Sequence, residues 1–304
     1  MKVKTLTHNG ILFPPEYERC GSKLTANFNS LAEEMLWHWS AKRDTDYVKD
    51  KVIIKNFWRC LKPELPKEWQ SKKFPQDFSA IIDDLFSINQ VKKAEKAAYR
   101  KEHKKEIEAE KAAQKEKYGY AMVNGKKQQR DAYLVEGPGI MLARGASPIK
   151  GCWKYRTQPE DIIINYIGPK GSEPKAPEGH HWKEVVHNHN AFLTYHYYVK
   201  VGDMTERIKR GRFAAASEIN KKADENKYIK AQKLAQDYDE IMEQFERDAV
   251  NADNLITKEA ALISYLISVT AIRIGNEKDK KTEAMTVGMS TLLADNMSLE
   301  VRED

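Results

Sequence analysis

Cysteine and histidine are scarce in this chain. Its 304 residues hold 3 Cys and 8 His, too few and too scattered for a disulfide framework or a zinc spacing. Cys20, Cys60 and Cys152 are odd in number and far apart, which reads as reduced intracellular thiols. Long apolar runs are also missing. The longest near-apolar stretch, Ala260 to Ile272, is interrupted by Ser264, Ser268 and Thr270 and is too short to span a bilayer. Met1 to His8 carries no apolar core of signal-peptide length, so no membrane or secretory role is expected. No G-x-x-x-x-G-K-S/T string occurs, which excludes a P-loop for nucleotide phosphates. His180-His181 and His187-Asn188-His189 have no Cys or clustered carboxylates near them, so they read as strand-end or surface residues, not metal ligands. No metal and no cofactor is expected.

Charge is abundant. Charged residues make up 32% of the chain and the formal net charge is +6, moderate for a nucleic-acid binder. The distribution is more informative. Lys92 to Lys117 holds ten Lys or Arg against six Glu in an Ala-, Glu- and Lys-rich text. One reading is a basic stripe that attracts a polyanion and weakens with salt. The other is a solvated helix laced with pairs such as Lys104 with Glu108, each contributing a few tenths of a kcal/mol.

The hydrophobic period divides the chain. An extended start ends at Pro14-Pro15, where fixed φ and missing donors favour a hinge. Leu31, Met35, Leu36 and Trp39 form one helical face, and Val52, Ile53, Phe57 and Leu61 a second. After Pro63 and Pro66, a third helix runs from near Asp77 to Lys117 and buries little beyond Val91. Four segments then read as strands: Tyr120 to Val123, Ala132 to Val135, Asp161 to Ile167 and Ala191 to Val201. In the last, Leu193, Tyr195, Tyr197, Val199 and Val201 share a face. The helical period returns from about Ser217, with a stripe from Ala231 to Phe245. A final helix is expected to be capped by Thr257 and to lead to Arg273.

Arg273 is the best candidate for contacting a reacting phosphate. Leu262, Tyr265, Leu266, Val269 and Ile272 recur at spacings of three and four, which puts Arg273 at the edge of the stripe, half desolvated. A guanidinium there offers a planar fork to two phosphate oxygens. A basic residue followed by Gly275 is also an ordinary helix end that complements the macrodipole.

The wider string IRIGNEKDKKTEAMTVG, from Ile272 to Gly288, resembles the segment of eukaryotic-type type IB DNA topoisomerases that carries their first catalytic arginine and one lip of the DNA clamp. THNGILFPPEYE (Thr7 to Glu18), KEKYGYAMVNGKKQ (Lys115 to Gln128), PEDIIIN (Pro159 to Asn165) and GHHWKEVVHN (Gly179 to Asn188) resemble that family's core in the same order. Several strings in one order are more specific than any single motif.

The resemblance implies an α+β fold forming a multi-lobed DNA clamp. A sheet-containing core subdomain would be split between 1–16 and 97–216. A helical cap would occupy 17–96, with charged helices running to about 117. Residues 217–304 would begin a helical catalytic subdomain. The implied activity is ATP-independent relaxation of supercoiled duplex DNA through a transient 3′-phosphotyrosine, with a monomer on duplex DNA in the nucleus. Arg273 would be catalytic. Arg144, Lys150, Lys154, Arg156, Lys209, Asn276, Lys278 and Thr286 would contact DNA, although Leu142 stands where the family has an arginine and Arg210 replaces an aromatic. The family also needs a G-K-D lysine, a second arginine, a histidine and the nucleophilic tyrosine, all after the first arginine. No G-K-D occurs and no Tyr or His follows Arg273, so the chain reads as the N-terminal part of the core, with a C-terminal remainder carrying the tyrosine. Alone it should bind without cutting. A non-catalytic DNA clamp or scaffold, and a helical protein-interaction module, are the alternatives.

Overall fold

A computed structural model describes residues 2–143, 147–203, 205–276 and 286–298. The chain divides into two compact units, Met1–Arg144 with Ile149–Lys221, and Gly145–Pro148 with Lys222–Asp304. Helices and two mainly antiparallel sheets give the α+β class.

The first unit opens its helical part with α1 (Ser30–Ser40) and α2 (Lys51–Leu61). Asn29 starts α1 by accepting the Ala32 N–H at 2.7 Å. Asp50 starts α2 by accepting those of Val52 and Ile53 at 2.8 and 3.3 Å. Met35, Leu36 and Trp39 meet Ile53, Phe57 and Leu61 in one core, with Trp39 and Phe57 rings 4.6 Å apart. Phe74 and Phe78 extend this aromatic cluster.

Helix α3 (Ser79–Glu102) buries Ile81, Ile82, Leu85 and Asn89 and no described residue beyond Asn89. The stretch that spacing reads as one helix to Lys117 is two helices, in keeping with the plural charged helices that the resemblance implies. The chain leaves helical geometry at His103 (φ −98°, ψ 26°), whose ring stacks on Tyr99 at 4.1 Å, and α4 (Lys104–Tyr118) follows. Helix α4 buries nothing, as its composition dictates.

Strands β1 (Leu6–Thr7), β2 (Tyr120–Val123) and β3 (Lys126–Gln129) form a small antiparallel sheet in that order. Asn124-Gly125, with φ of 49° and 78°, makes the two-residue turn between β2 and β3. The larger sheet holds β4 (Gly139–Ile140), β5 (Trp153–Lys154), β6 (Ile162–Asn165), β7 (Glu184–Val186), β8 (Tyr195–Val201) and β9 (Thr205–Gly211). β8 pairs antiparallel with β9, with β6 and with β5, while β7 runs parallel to β6. Tyr195, Tyr197, Val199 and Val201 are all buried, so the alternation on β8 places that face in the core. Ala132 to Val135 is not a strand. It touches Leu12 at one parallel bridge, and Pro14-Pro15 supply no amide donors to continue the pairing.

In the second unit, the stripe expected from Ala231 to Phe245 is divided at Asp237 between α5 (Glu218–Gln236), which starts in the first unit, and α6 (Tyr238–Asn251). Helix α7 (Leu255–Thr270) packs against α6. Its cap is Asn254, which accepts the Thr257 N–H at 2.8 Å, so Thr257 receives the cap instead of providing it. Among the described residues of α7 only Ala261 is buried, and Leu262, Val269 and Ile272 are exposed. The apolar stripe exists, but the α6–α7 pair alone does not cover it.

Candidate nucleic-acid interface

Four of the sequence-derived cations, Lys150, Lys154, Arg156 and Lys209, lie among the described residues of the first unit, and the fold gives each a carboxylate. Glu136, just before β4, holds two of them: Lys154 Nζ on β5 lies 3.1 Å from one carboxylate oxygen, and Lys209 Nζ on β9 lies 2.6 Å from the other. The Glu136 N–H donates to the Tyr197 hydroxyl of β8 at 3.3 Å, which fixes the carboxylate over the sheet. Burial pushes this carboxyl up, but hydrogen bonds from Lys209 and Lys154 hold it below the ordinary range. Two ammonium groups sharing one carboxylate leave a fixed surplus of positive charge. Such a surplus suits a phosphate.

Lys150 pairs with Asp50 at 2.8 Å, the same carboxylate that caps α2. The side chain is thereby tied to the start of α2. Arg156 is the most enclosed of the four. It bonds Glu34 at 3.1 Å and the Pro15 carbonyl at 2.9 Å, and Glu16 lies 3.7 Å away. It holds the Pro14-Pro15 hinge against α1. None of these acidic partners was identified from the sequence. Glu34, Glu136 and Asp50 are distant in the chain from the cations they meet, and no local spacing signals the pairing.

In the second unit, Arg273 lies beyond α7 instead of in its last turn. The helix ends when Ala271 takes a left-handed conformation (φ 55°) and its N–H closes on Ile267 O at 2.9 Å. The described residues after it, to Asn276, belong to no helix or strand. The Arg273 carbonyl accepts the Met289 N–H at 2.9 Å, and Arg273 Nη2 donates to Thr286 Oγ1 at 3.0 Å. Thr286 and Arg273 are thus brought together, and Asn276 stands exposed three residues on. Gly275 serves this pairing. Its φ is +97°, and a Cβ there would come within 3.1 Å of Gly288 Cα. The Arg273 side chain is exposed, contrary to the half-desolvated position expected from the stripe, because the helix stops two residues short of it. Arg144 and Lys278 lie outside the described residues.

In the histidine strings three rings meet local partners. His187 Nδ1 lies 2.6 Å from Tyr166 O and His189 Nδ1 2.8 Å from Val3 O, while His180 Nδ1 lies 3.0 Å from Glu160. Among the described residues no cluster of three His, Cys, Asp or Glu could hold a metal ion. The basic half of α3 is exposed, as is α4 apart from half-buried Ile107 and Tyr118, and the expected Lys104–Glu108 pair is present at 3.9 Å. Lys127 adds a close ion pair with Glu116 and sits over the Tyr120 ring. No described helix is long and apolar enough to cross a membrane.

Residues 1–209 match the family described as eukaryotic DNA topoisomerase I, DNA binding fragment, and residues 216–303 match eukaryotic DNA topoisomerase I, catalytic core. The chain is 34% identical to DNA topoisomerase 1 beta of Arabidopsis thaliana over 97% of its own length and 32% of the relative's. It is 31% identical to DNA topoisomerase 1 of Candida albicans, covering 99% of this chain and 39% of that protein. Identity to DNA topoisomerase 1 of Homo sapiens is 28%, with 100% and 40% covered. The chain therefore spans about a third to two fifths of the length of these relatives. With both matched regions in family order and together covering nearly every residue, the chain belongs to the eukaryotic DNA topoisomerase I family.

Proposed function

We propose that this chain is the duplex-gripping part of a type IB DNA topoisomerase, an isomerase that changes DNA topology, and that it carries the first catalytic arginine. The observation that supports this best is the Arg273–Thr286 hydrogen bond, which fixes an exposed guanidinium at the position where the family sequence has its arginine. Attack of a tyrosine on a phosphodiester builds negative charge on the nonbridging oxygens as phosphorus becomes five-coordinate. A guanidinium already held in place stabilises that charge selectively, without reorganising during the reaction. Lys150, Lys154, Arg156 and Lys209, with Arg144, Asn276, Lys278 and Thr286, position the phosphate backbone without reading sequence.

The division into a split core subdomain (1–16 and 97–216), a helical cap (17–96) and the first part of a catalytic subdomain (217–304) belongs to the same reading. So do a nuclear location, action as a monomer on DNA, and a C-terminal remainder carrying the tyrosine. This chain alone then binds duplex without cutting it. Protein that includes the tyrosine-bearing segment should relax supercoiled plasmid without ATP or Mg2+. In that protein Arg273→Ala should slow strand cleavage by about 10²–10³-fold while leaving duplex affinity within about threefold. A protein that relaxes nothing and forms no tyrosine–DNA adduct refutes the enzyme and leaves a DNA-binding scaffold. An Arg273→Ala protein that cleaves normally refutes the assignment of the arginine.

A further inference from the structure

Cys60, in the last turn of α2, and Cys152, immediately before β5, are both buried, at 4% and 1% exposure, and both sulfurs face Gly202. Backbone packing forces them together. A Cβ on Gly151 would stand 2.6 Å from Ile53 Cα, so only glycine lets α2 approach this closely. The Trp153 N–H donates to Cys60 Sγ at 3.4 Å. From the opposite side, a Cβ on Gly202 would lie 3.5 Å from Cys152 Sγ and 3.6 Å from Cys60 Sγ. Both sulfurs therefore share one small space under the β8–β9 turn.

The surroundings distinguish the two thiols. Arg59 Nη2 donates to Cys152 Sγ at 3.5 Å, and the Arg59 Nε lies 3.5 Å from Asp203. The hydrogen bond from Cys60 and the charge of Arg59 lower the Cys152 thiol against the opposing effects of burial and Asp203. Cys60 is raised by its hydrogen bond to Cys152 and by burial. Arg59 thus favours the thiolate at Cys152, while burial favours the protonated thiol at Cys60. Arg59, which bonds Cys152, is 41% exposed, so its side chain links the buried pair to solvent.

We propose that Cys60 and Cys152 are a redox modification site, at which a hydroperoxide forms an intrachain disulfide joining α2 to β5. The Cys152 thiolate attacks the outer oxygen of the hydroperoxide. An S–O bond forms, the O–O bond breaks, and the alkoxide or hydroxide leaves as the protonated alcohol or water. Cys60 sulfur then attacks Cys152 sulfur. The S–S bond forms, the S–O bond breaks, and hydroxide departs with the Cys60 proton as water. Overall, two thiols lose two electrons and the hydroperoxide gains them. The disulfide fixes the segment from Gly151 to Lys154 to the helix whose cap, Asp50, already holds Lys150.

Treating the folded chain with hydrogen peroxide, followed by tryptic digestion without reduction, tests this directly. The expected product links peptide Cys60–Lys67 to peptide Gly151–Lys154, with two of the three thiols lost and Cys20 still titratable. The unfolding midpoint should rise by about 5–10 °C and return on adding dithiothreitol. Cys60→Ser should leave a sulfenic acid on Cys152 that dimedone traps, and Arg59→Gln should slow the reaction about three- to tenfold. The proposal is overturned if the linked peptide is absent while thiols are consumed, if only Cys20 reacts, or if the link forms only between molecules. The linked peptide is read from the unaltered protein, so a serine variant that fails to fold does not decide the outcome.

Discussion

Single side chains carry two of the expectations. Glu136 stands between Lys154 and Lys209 and competes with any phosphate for both. Glu136→Gln should therefore raise duplex affinity about three- to tenfold at 50 mM salt, measured by fluorescence anisotropy, and the gain should shrink as salt screens it. A loss of affinity would mean that the carboxylate positions the lysines more than it neutralises them. His8 gives a pH dependence. The Gly10 N–H donates to its Nδ1 at 3.1 Å, which leaves the proton on Nε2, 3.0 Å from Asn165 O. Burial, helped by the charge of Arg130, holds the ring neutral and lowers its pKa to about 3 from 6.5. The unfolded chain takes up this proton first, so the stability is full above about pH 6.5 and declines as pH falls towards 3. About 2 kcal/mol should be lost between pH 8 and pH 5 by urea unfolding, and His8→Gln should flatten that limb. Neither role was legible in the sequence, where Glu136 is one acid in a Gly-Pro turn and His8 one polar residue among others. Both depend on partners that only the fold supplies.

At the level of elements, helices α1 and α2 could be read because their signals are local. The apolar positions of α1 and α2 recur at helical spacing, and Asn29 and Asp50 supply the caps within three residues of the amides they bind. The breaks at His103 and Asp237 could not be read, since neither residue is a Gly or Pro and the composition continues on both sides. Short strands such as β4 and β5 escaped for the opposite reason. Two residues show no alternation, and their pairing partners are remote. The placement of Arg273 was not legible. The stripe led to a position at the helix edge, whereas the helix ends at Ala271 before reaching it. Asp50 acts twice, as the α2 cap and as the Lys150 partner. Asp50→Ala should cost about 1–2 kcal/mol in chemical denaturation, whereas Lys150→Gln, which keeps the cap, should cost less than about 0.5 kcal/mol.

Over the whole molecule, the α+β class and the grouping of strands after the charged helices were legible from the change of period and from the ordered resemblance. The charge balance was the weaker guide. A net +6 spread over 304 residues did not show that four candidate phosphate contacts are each paired with an acid. Those pairs hold the cations in place and set an affinity that depends on competition between carboxylate and phosphate. Salt dependence of duplex binding by this chain measures that most directly. A plot of log affinity against log salt should be linear with a slope of about −3 to −4, nearly independent of DNA sequence, and Lys154→Gln with Lys209→Gln should reduce its magnitude by about 2. No binding at low salt, or a slope near zero that the two substitutions leave unchanged, would contradict the account.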